Sequence, residues 1–255
     1  MGIYLMATLS SLVSSGGGSA TLETVILTKS QTWTPPVNGT GIIHVIGAGA
    51  SGGGDGNTRA GGAGGYSRKA VTFATGTNWT IVVGAGGTPT ATNQAVIAGG
   101  NSTAADGSSS LTANGAATSG YGGTASGGDV NFTGGTGGQS TTGGGGAVGV
   151  FANGSTTVSI SGGQTTDANG GADSFLVLGL GQLIGGSGGG SGGGNGGFLS
   201  GGGNNYISSA NPDYIFGGKG GIGGGGGFGF NANGTTLRAG GAGGDGLVVI
   251  QYLTV

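Results

Sequence analysis

The sequence predicts an all-β fold with irregular regions. A small β-sheet base, formed by N- and C-terminal strands, carries a glycine-rich core of packed polyglycine II helices arranged as a layered sandwich. Three observations predict it. Glycine supplies 74 of 255 residues, against an average usage of roughly 7%. Much of that glycine falls in a frame of three. The β-branched and aromatic segments concentrate near the two ends of the chain.

Residues 1–20 form an N-terminal docking arm. Ile3, Met6, Leu9, Leu12 and Val13 recur at three- and four-residue spacing, a helical signal. The following SSGGGS is a hinge. Residues 21–98 with 246–255 make the β base. Its strands are read at Leu22 to Leu27, Ile42 to Ile46, Lys69 to Phe73, Trp79 to Val83 and Leu247 to Tyr252, all β-branched or aromatic and mostly bounded by turn residues. Pro35-Pro36 and Asn38-Gly39 bend the chain between the first two. The last strand lies at the far end of the chain from the others, so the two ends pair in one sheet.

Residues 99–245 then form the glycine-helix domain with distal loops. The GGX frame runs through Ala60-GG-Ala63-GG-Tyr66, Thr133-GG-Thr136-GG-Gln139, Lys219-GG-Ile222 and Ala242-GG-Asp245. Shorter pieces sit at Ile184-GG-Ser187 and Asn195-GG-Phe198. A period of three matches neither the 3.6 of an α-helix nor the 2 of a strand. It is the repeat of the extended left-handed helix with three residues per turn. That helix has no internal hydrogen bonds, so its buried backbone groups need partners in neighbouring helices. Two bare glycine edges permit the close approach this requires. The third edge carries side chains, facing out or onto a second layer. Ala-Asn-Gly, at 113–115, 152–154, 168–170 and 232–234, is expected to turn the chain at helix ends.

Composition excludes several classes. A net charge of −2 with 34% hydrophobic residues is unlike a disordered chain. Four prolines and irregular glycine spacing exclude collagen. Lys29, Arg59, Arg68, Lys69, Lys219 and Arg238 are scattered, so no basic patch invites nucleic acid. No apolar run reaches the roughly 18 residues of a membrane span, so no membrane insertion is expected.

The chemistry-bearing motifs are thin. Gly47-Ala48-Gly49-Ala50-Ser51-Gly52 matches G-x-G-x-x-G after a strand. The sequence beyond it cannot hold the helix a dinucleotide site needs, and no acid stands near 66–70. His44 is the only histidine and lies in a strand, a structural position rather than a base. No cofactor and no catalytic residue are expected, and the chain is read as not an enzyme. Asp167, Asn169 and Asp173 place oxygen ligands around a turn, as calcium prefers, but do not make an EF-hand, and an Asx-turn is the plainer explanation. No metal site is assigned. Six Asn-x-Ser/Thr sequons, at Asn38, Asn78, Asn101, Asn131, Asn153 and Asn233, are read as accidents of composition.

The longest interruption of the glycine runs is Asn204 to Phe216 (NNYISSANPDYIF). Asn204, Asn205, Tyr206, Asn211, Asp213, Tyr214 and Phe216 combine amides with aromatic rings, which suits sugar rings or loops of an outer-membrane protein. Phe151, Asn153, Phe230 and Asn233 occupy two similar stretches. The competing reading has these rings cap glycine helices by packing on their ends.

An ordered set of segments carries a resemblance. Gln31-Thr-Trp33-Thr-Pro35-Pro36, IIHVIGAGASGGG, GGAGGYSRKAVTF, NWTIVVGAGG and AGGAGGDGLVVIQY resemble the glycine-rich domain of bacteriophage tail-fibre and tail-tip receptor-binding proteins. The resemblance runs from about Thr28 to Tyr252. It implies a polyglycine-helix core, a place in the virion, and distal loops that bind a host-cell surface receptor, an outer-membrane protein or a polysaccharide. The N-terminal arm would contact other virion proteins. Fibres of this kind are often a homotrimer, although no heptad repeat here demands it. Two alternatives remain. One is a capsid decoration, head fibre or purely structural fibre subunit. The other is an ice-binding protein built from glycine helices, against which the loops and frame slips argue.

Overall fold

A computed structural model describes residues 20–54, 59–89, 95–138, 175–176, 182–183, 217–229 and 240–254. The docking arm lies outside them, apart from Ala20. Among the described residues there is no α-helix, and two antiparallel sheets pack face to face. The first orders its strands β1 (Thr21–Leu27), β12 (Leu247–Thr254), β3 (Gly39–Ile46), β4 (Tyr66–Phe73) and β9 (Val130–Phe132). The second orders β2 (Gln31–Trp33), β5 (Trp79–Val82), β6 (Ser102–Ala105), β7 (Ser110–Ala113) and β8 (Ala125–Ser126). A short hairpin pairs β10 (Phe175–Leu176) with β11 (Gln182–Leu183).

The expected pairing of the chain ends is present: β1 and β12 run antiparallel with Thr21 opposite Thr254 and Leu27 opposite Val248. Alternation then fills the space between the sheets. Val25, Leu27, Ile43, Val45, Phe73, Val248 and Ile250 of the first sheet meet Trp79, Ile81, Ala104, Leu111 and Ala113 of the second. The opposite face of the first sheet buries Ile46, Tyr66, Leu247 and Val249 against Ala63, with Ile222, Val130 and Phe132 packed on them.

The glycine segments extend from one end of this sandwich. The chain goes out and back between strands: β3 runs into 47–54, and 59–65 returns into β4. Likewise 84–89 leaves β5, 95–101 returns to β6, and 240–246 returns to β12. Strands and glycine segments therefore alternate along the chain. The segment 217–229 turns back on itself at 221–224, where Gly224 N–H donates to Gly221 C=O at 2.8 Å and Gly223 adopts φ 69°.

The period of three becomes geometry at 47–53. All seven of its N–H groups donate to neighbouring carbonyls at 2.8–3.1 Å. Gly47, Ala50 and Gly53 donate to Gly65, Gly62 and Arg59; Ala48 and Ser51 to Gly100 and Ile97; Gly49 and Gly52 to Gly244 and Gly241. Its carbonyls accept from three other segments: Ala48 from Ala116, Gly49 from Gly87, and Ala50 and Gly53 from Gly226 and Gly229. The three segments that take its N–H groups run antiparallel to it, and the three that donate to it run parallel. Three residues per turn point successive amides in three directions, so one segment bonds to six neighbours.

The same geometry explains GGX. In 240–246, a Cβ on Gly240 or Gly243 would collide with the carbonyl oxygens of Gly52 and Gly49. One on Gly241 or Gly244 would collide with those of Gly218 and Gly221. The third edge carries Ala242, half-buried, and Asp245, exposed. In 60–65, Gly61 and Gly64 abut the carbonyls of Ala50 and Gly47, while Gly62 and Gly65 abut those of Gly120 and Thr124. Here the third edge, Ala60 and Ala63, is completely buried. Both placements of X thus occur. The central segment departs from GGX by carrying Ala48, Ala50 and Ser51, all fully buried.

One Ala-Asn-Gly is described, and it does not reverse the chain as expected. Residues 113–115 carry β7 straight into a glycine segment, because Asn114 N–H donates to Thr124 C=O and Asn114 C=O accepts from Gly65, continuing the lattice. The reversal comes later, where Gly120 N–H donates to Ala117 C=O with Gly120 at φ 76°. The other three copies lie outside the described residues.

Adjacent positions on different edges should respond oppositely. Gly243→Ala forces a methyl group onto the Gly49 carbonyl, and overpacking plus a weakened hydrogen bond should cost about 2–4 kcal/mol. Ala242→Ser, on the open edge, should stay within about 0.5 kcal/mol. Urea unfolding monitored by tryptophan fluorescence compares the two; equal losses would contradict the edge assignment.

Candidate functional site

The out-and-back path gives the molecule two ends. At the sheet end, Thr21 pairs with Thr254. At the other end the described chain stops at Gly54, Gly138 and Gly229 and resumes at Arg59, Gly217 and Gly240. These points are neighbours. Gly53 N–H donates to Arg59 C=O, Ala60 N–H to Gly138 C=O, and Gly229 N–H to Gly53 C=O. Gly54 and Gly229 form a parallel bridge. The described residues that flank 55–58, 139–216 and 230–239 therefore lie together at the lattice end, and Thr21, next to the docking arm, lies at the sheet end.

Every receptor-binding candidate falls within two of those stretches. Phe151, Asn153, Asn204, Asn205, Tyr206, Asn211, Asp213, Tyr214 and Phe216 lie within 139–216, and Phe230 and Asn233 within 230–239. All of these side chains lie outside the described residues, as do Asp167, Asn169 and Asp173. Among the described residues no group of three His, Cys, Asp or Glu side chains could hold a metal ion, and no helix is long and apolar enough to cross a membrane.

The lattice end also presents a pair that the sequence reading passed over. Tyr121 is 53% exposed, and the Arg59 guanidinium carbon stands 5.1 Å from its ring centroid. Such a contact contributes about 0.5–1 kcal/mol at an exposed position. The available signal was a lone tyrosine between glycines, beside a turn.

The motifs with paper chemistry are absorbed by the scaffold. The G-x-G-x-x-G at Gly47 to Gly52 is the central lattice segment, and its seven committed N–H groups leave none to cradle a phosphate. Four sequon asparagines are described, and each serves structure. Asn38 Oδ1 accepts from Thr75 N–H, Asn78 Oδ1 from Thr34 Oγ1, Asn101 Oδ1 from Gly115 N–H, and Asn131 Oδ1 from Ser67 Oγ. Serine and aspartate side chains replace missing carbonyls where the lattice meets the sheets: Ser102 Oγ accepts from Gly84 N–H and Asp245 Oδ1 from Gly86 N–H.

His44 lies on the outer face of the first sheet, between Tyr66 and Gln251. Its Nδ1 is 2.8 Å from the Tyr66 hydroxyl and its Nε2 3.2 Å from Gln251 Oε1. The amide oxygen accepts only, so Nε2–H donates to it and Nδ1 accepts from the tyrosine. Burial pulls the imidazole down from 6.5 to about 4; the Gln251 bond opposes this and the Arg68 charge adds to it. Burial likewise pushes the Tyr66 hydroxyl well above its ordinary value. At neutral pH the cluster is an uncharged cross-strand clamp.

Out-and-back glycine segments rooted in one β-sandwich are matched as a single unit, since the glycine-rich domain family covers residues 24–253. The chain belongs to the glycine-rich domain family. No curated protein matches it. The match spans sandwich and lattice together, so both are parts of one glycine-rich domain.

The histidine clamp gives this glycine-rich domain an acid limit. The folded state holds His44 neutral down to about pH 4, while the unfolded chain protonates it near 6.5. Stability is full above 6.5 and falls as pH drops towards 4, by up to about 3 kcal/mol. His44→Gln should flatten that limb in pH-dependent urea unfolding. An unchanged slope would remove His44 from the account.

Proposed function

We propose that the chain is a structural virion protein of a bacteriophage, a tail-fibre or tail-tip adhesin that carries no catalytic step. In this reading the glycine lattice holds the insertions 139–216 and 230–239 at the tip. Their amide and aromatic side chains bind a receptor on the host-cell surface, an outer-membrane protein or a polysaccharide. The docking arm joins the chain to other virion proteins.

One observation carries the reading: the described residues flanking the stretches that hold all the receptor-binding candidates share a single end, and Thr21, next to the arm, lies at the opposite one. A rigid mount suits recognition loops, because order supplied beforehand lowers the entropy lost on binding. The resemblance to tail-tip proteins points the same way.

The test is adsorption of labelled purified protein to host cells. Deleting 204–216 should lower binding tenfold or more while leaving the urea transition of the scaffold in place. Unchanged adsorption and unchanged infection would overturn the adhesin reading. Imaging the protein on the capsid, away from the tail, would favour a decoration protein.

A further inference from the structure

A second candidate binding site lies on the β-sandwich itself, on the side where the sandwich is open. At β8 and β9 the sheets close up: the Ser67 hydroxyl of β4 donates to Asn131 Oδ1 at 2.8 Å and stands 3.2 Å from Ser126 C=O of the second sheet. At the other side, β1 and β2 are the edge strands of their sheets. Between them runs a groove of about 380 Å³, within the roughly 300–1,000 Å³ typical of small-molecule sites. Glu23, Gln31, Thr32, Trp33, Thr34 and Tyr252 line it. Glu23 and Tyr252 are direct cross-strand partners, so the carboxylate stands where the core opens to solvent.

Its ring system is held firmly. Trp33 packs edge-on against Phe73 with centroids 5.1 Å apart and leans on Tyr252 at 5.8 Å. Gln31 and Thr32 are exposed. Among the described residues no cation pairs with Glu23.

We propose that this groove binds a neutral saccharide. A pyranose ring offers a C–H face that complements the negative face of an indole. Its hydroxyls both donate and accept, matching a carboxylate, an amide and two threonine hydroxyls together. A free acid sugar would be repelled by Glu23. A guanidinium carries donors only, and would leave the amide hydrogens of Gln31 facing other donors. The site is on the sandwich and not on the insertions, so it is independent of the adhesin reading.

The full chain provides its own reporter. Trp79 is 1% exposed, so a ligand-induced change in tryptophan emission reads Trp33. The probes are the methyl glycosides of glucose, galactose and N-acetylglucosamine. At least one should quench emission saturably at millimolar concentration. Truncating Trp33 would disturb the core, so Glu23→Gln and Gln31→Ala carry the test. Glu23→Gln should weaken binding about tenfold or more, with the urea midpoint unchanged. Three results would overturn the proposal. One is no response to any glycoside. Another is wild-type affinity in both variants. The third is binding of N-acetyl-arginine amide in place of the glycosides, which would make the groove a cation site.

Discussion

The hydrogen bond between neighbouring glycine segments is what the rest of the molecule depends on. An extended helix of three residues per turn satisfies none of its own amides, so burying one without neighbours would strand a donor and an acceptor at every residue. Along the bare edges the backbones come closer than a Cβ allows. Glycine at Gly49, Gly52, Gly61, Gly64, Gly241 and Gly244 is therefore required by distance and not by torsion. Each bond contributes only about 0.5–1.5 kcal/mol net, against glycine's large ordering entropy. The lattice closes because one segment serves six neighbours, so ordering one backbone satisfies several others.

The β-sandwich supplies what the lattice lacks. Glycine segments bury little apolar surface of their own, whereas Trp79, Phe73, Ile43, Ile250 and Leu111 form a close-packed core. The strands also set the register. Ile46 at the end of β3 and Tyr66 and Leu247 at the starts of β4 and β12 stand at the same level of the first sheet, so the glycine segments adjoining them are aligned. Once aligned, the three-residue repeat brings successive amides opposite carbonyls, as along 47–53. Packing fixes the start, and hydrogen bonding propagates it outward.

Much of this was legible in the chain. Strands at Leu22–Leu27, Ile42–Ile46 and Leu247–Tyr252 carry strong β-branched runs, and the GGX frame names the edges along which segments meet. The second sheet was harder. β6 and β7 read STAA and SLTA, small residues whose strand character comes from packing against β5 and not from propensity. The central segment was misleading in another way, because its G-x-G-x-x-G imitates a phosphate loop while its amides serve the lattice. At the lattice end, Tyr121 showed only as a lone tyrosine between glycines, and its partner Arg59 is distant in sequence. The groove was hidden for the same reason: Glu23, Trp33 and Tyr252 meet only because β1 and β12 join the two ends of the chain.

The lattice also determines where the sequence is free to vary. The outward segment 47–53 is bonded to its returning partner 59–65 up to the last described residues, Gly53 to Arg59, and Gly241 N–H donates to Gly227 C=O beside the break at 230–239. Whatever is inserted beyond that point inherits a fixed pair of endpoints. Closing a chain without structure of its own costs entropy that grows only with the logarithm of its length. Lengthening such a closure about twentyfold would add about 3 kcal/mol, a cost that a few lattice bonds offset. Changes in the insertions are thus cheap, while a single methyl group on a lattice glycine meets a carbonyl. A scaffold with that asymmetry constrains its lattice glycines through geometry and tolerates new sequence beyond the lattice end.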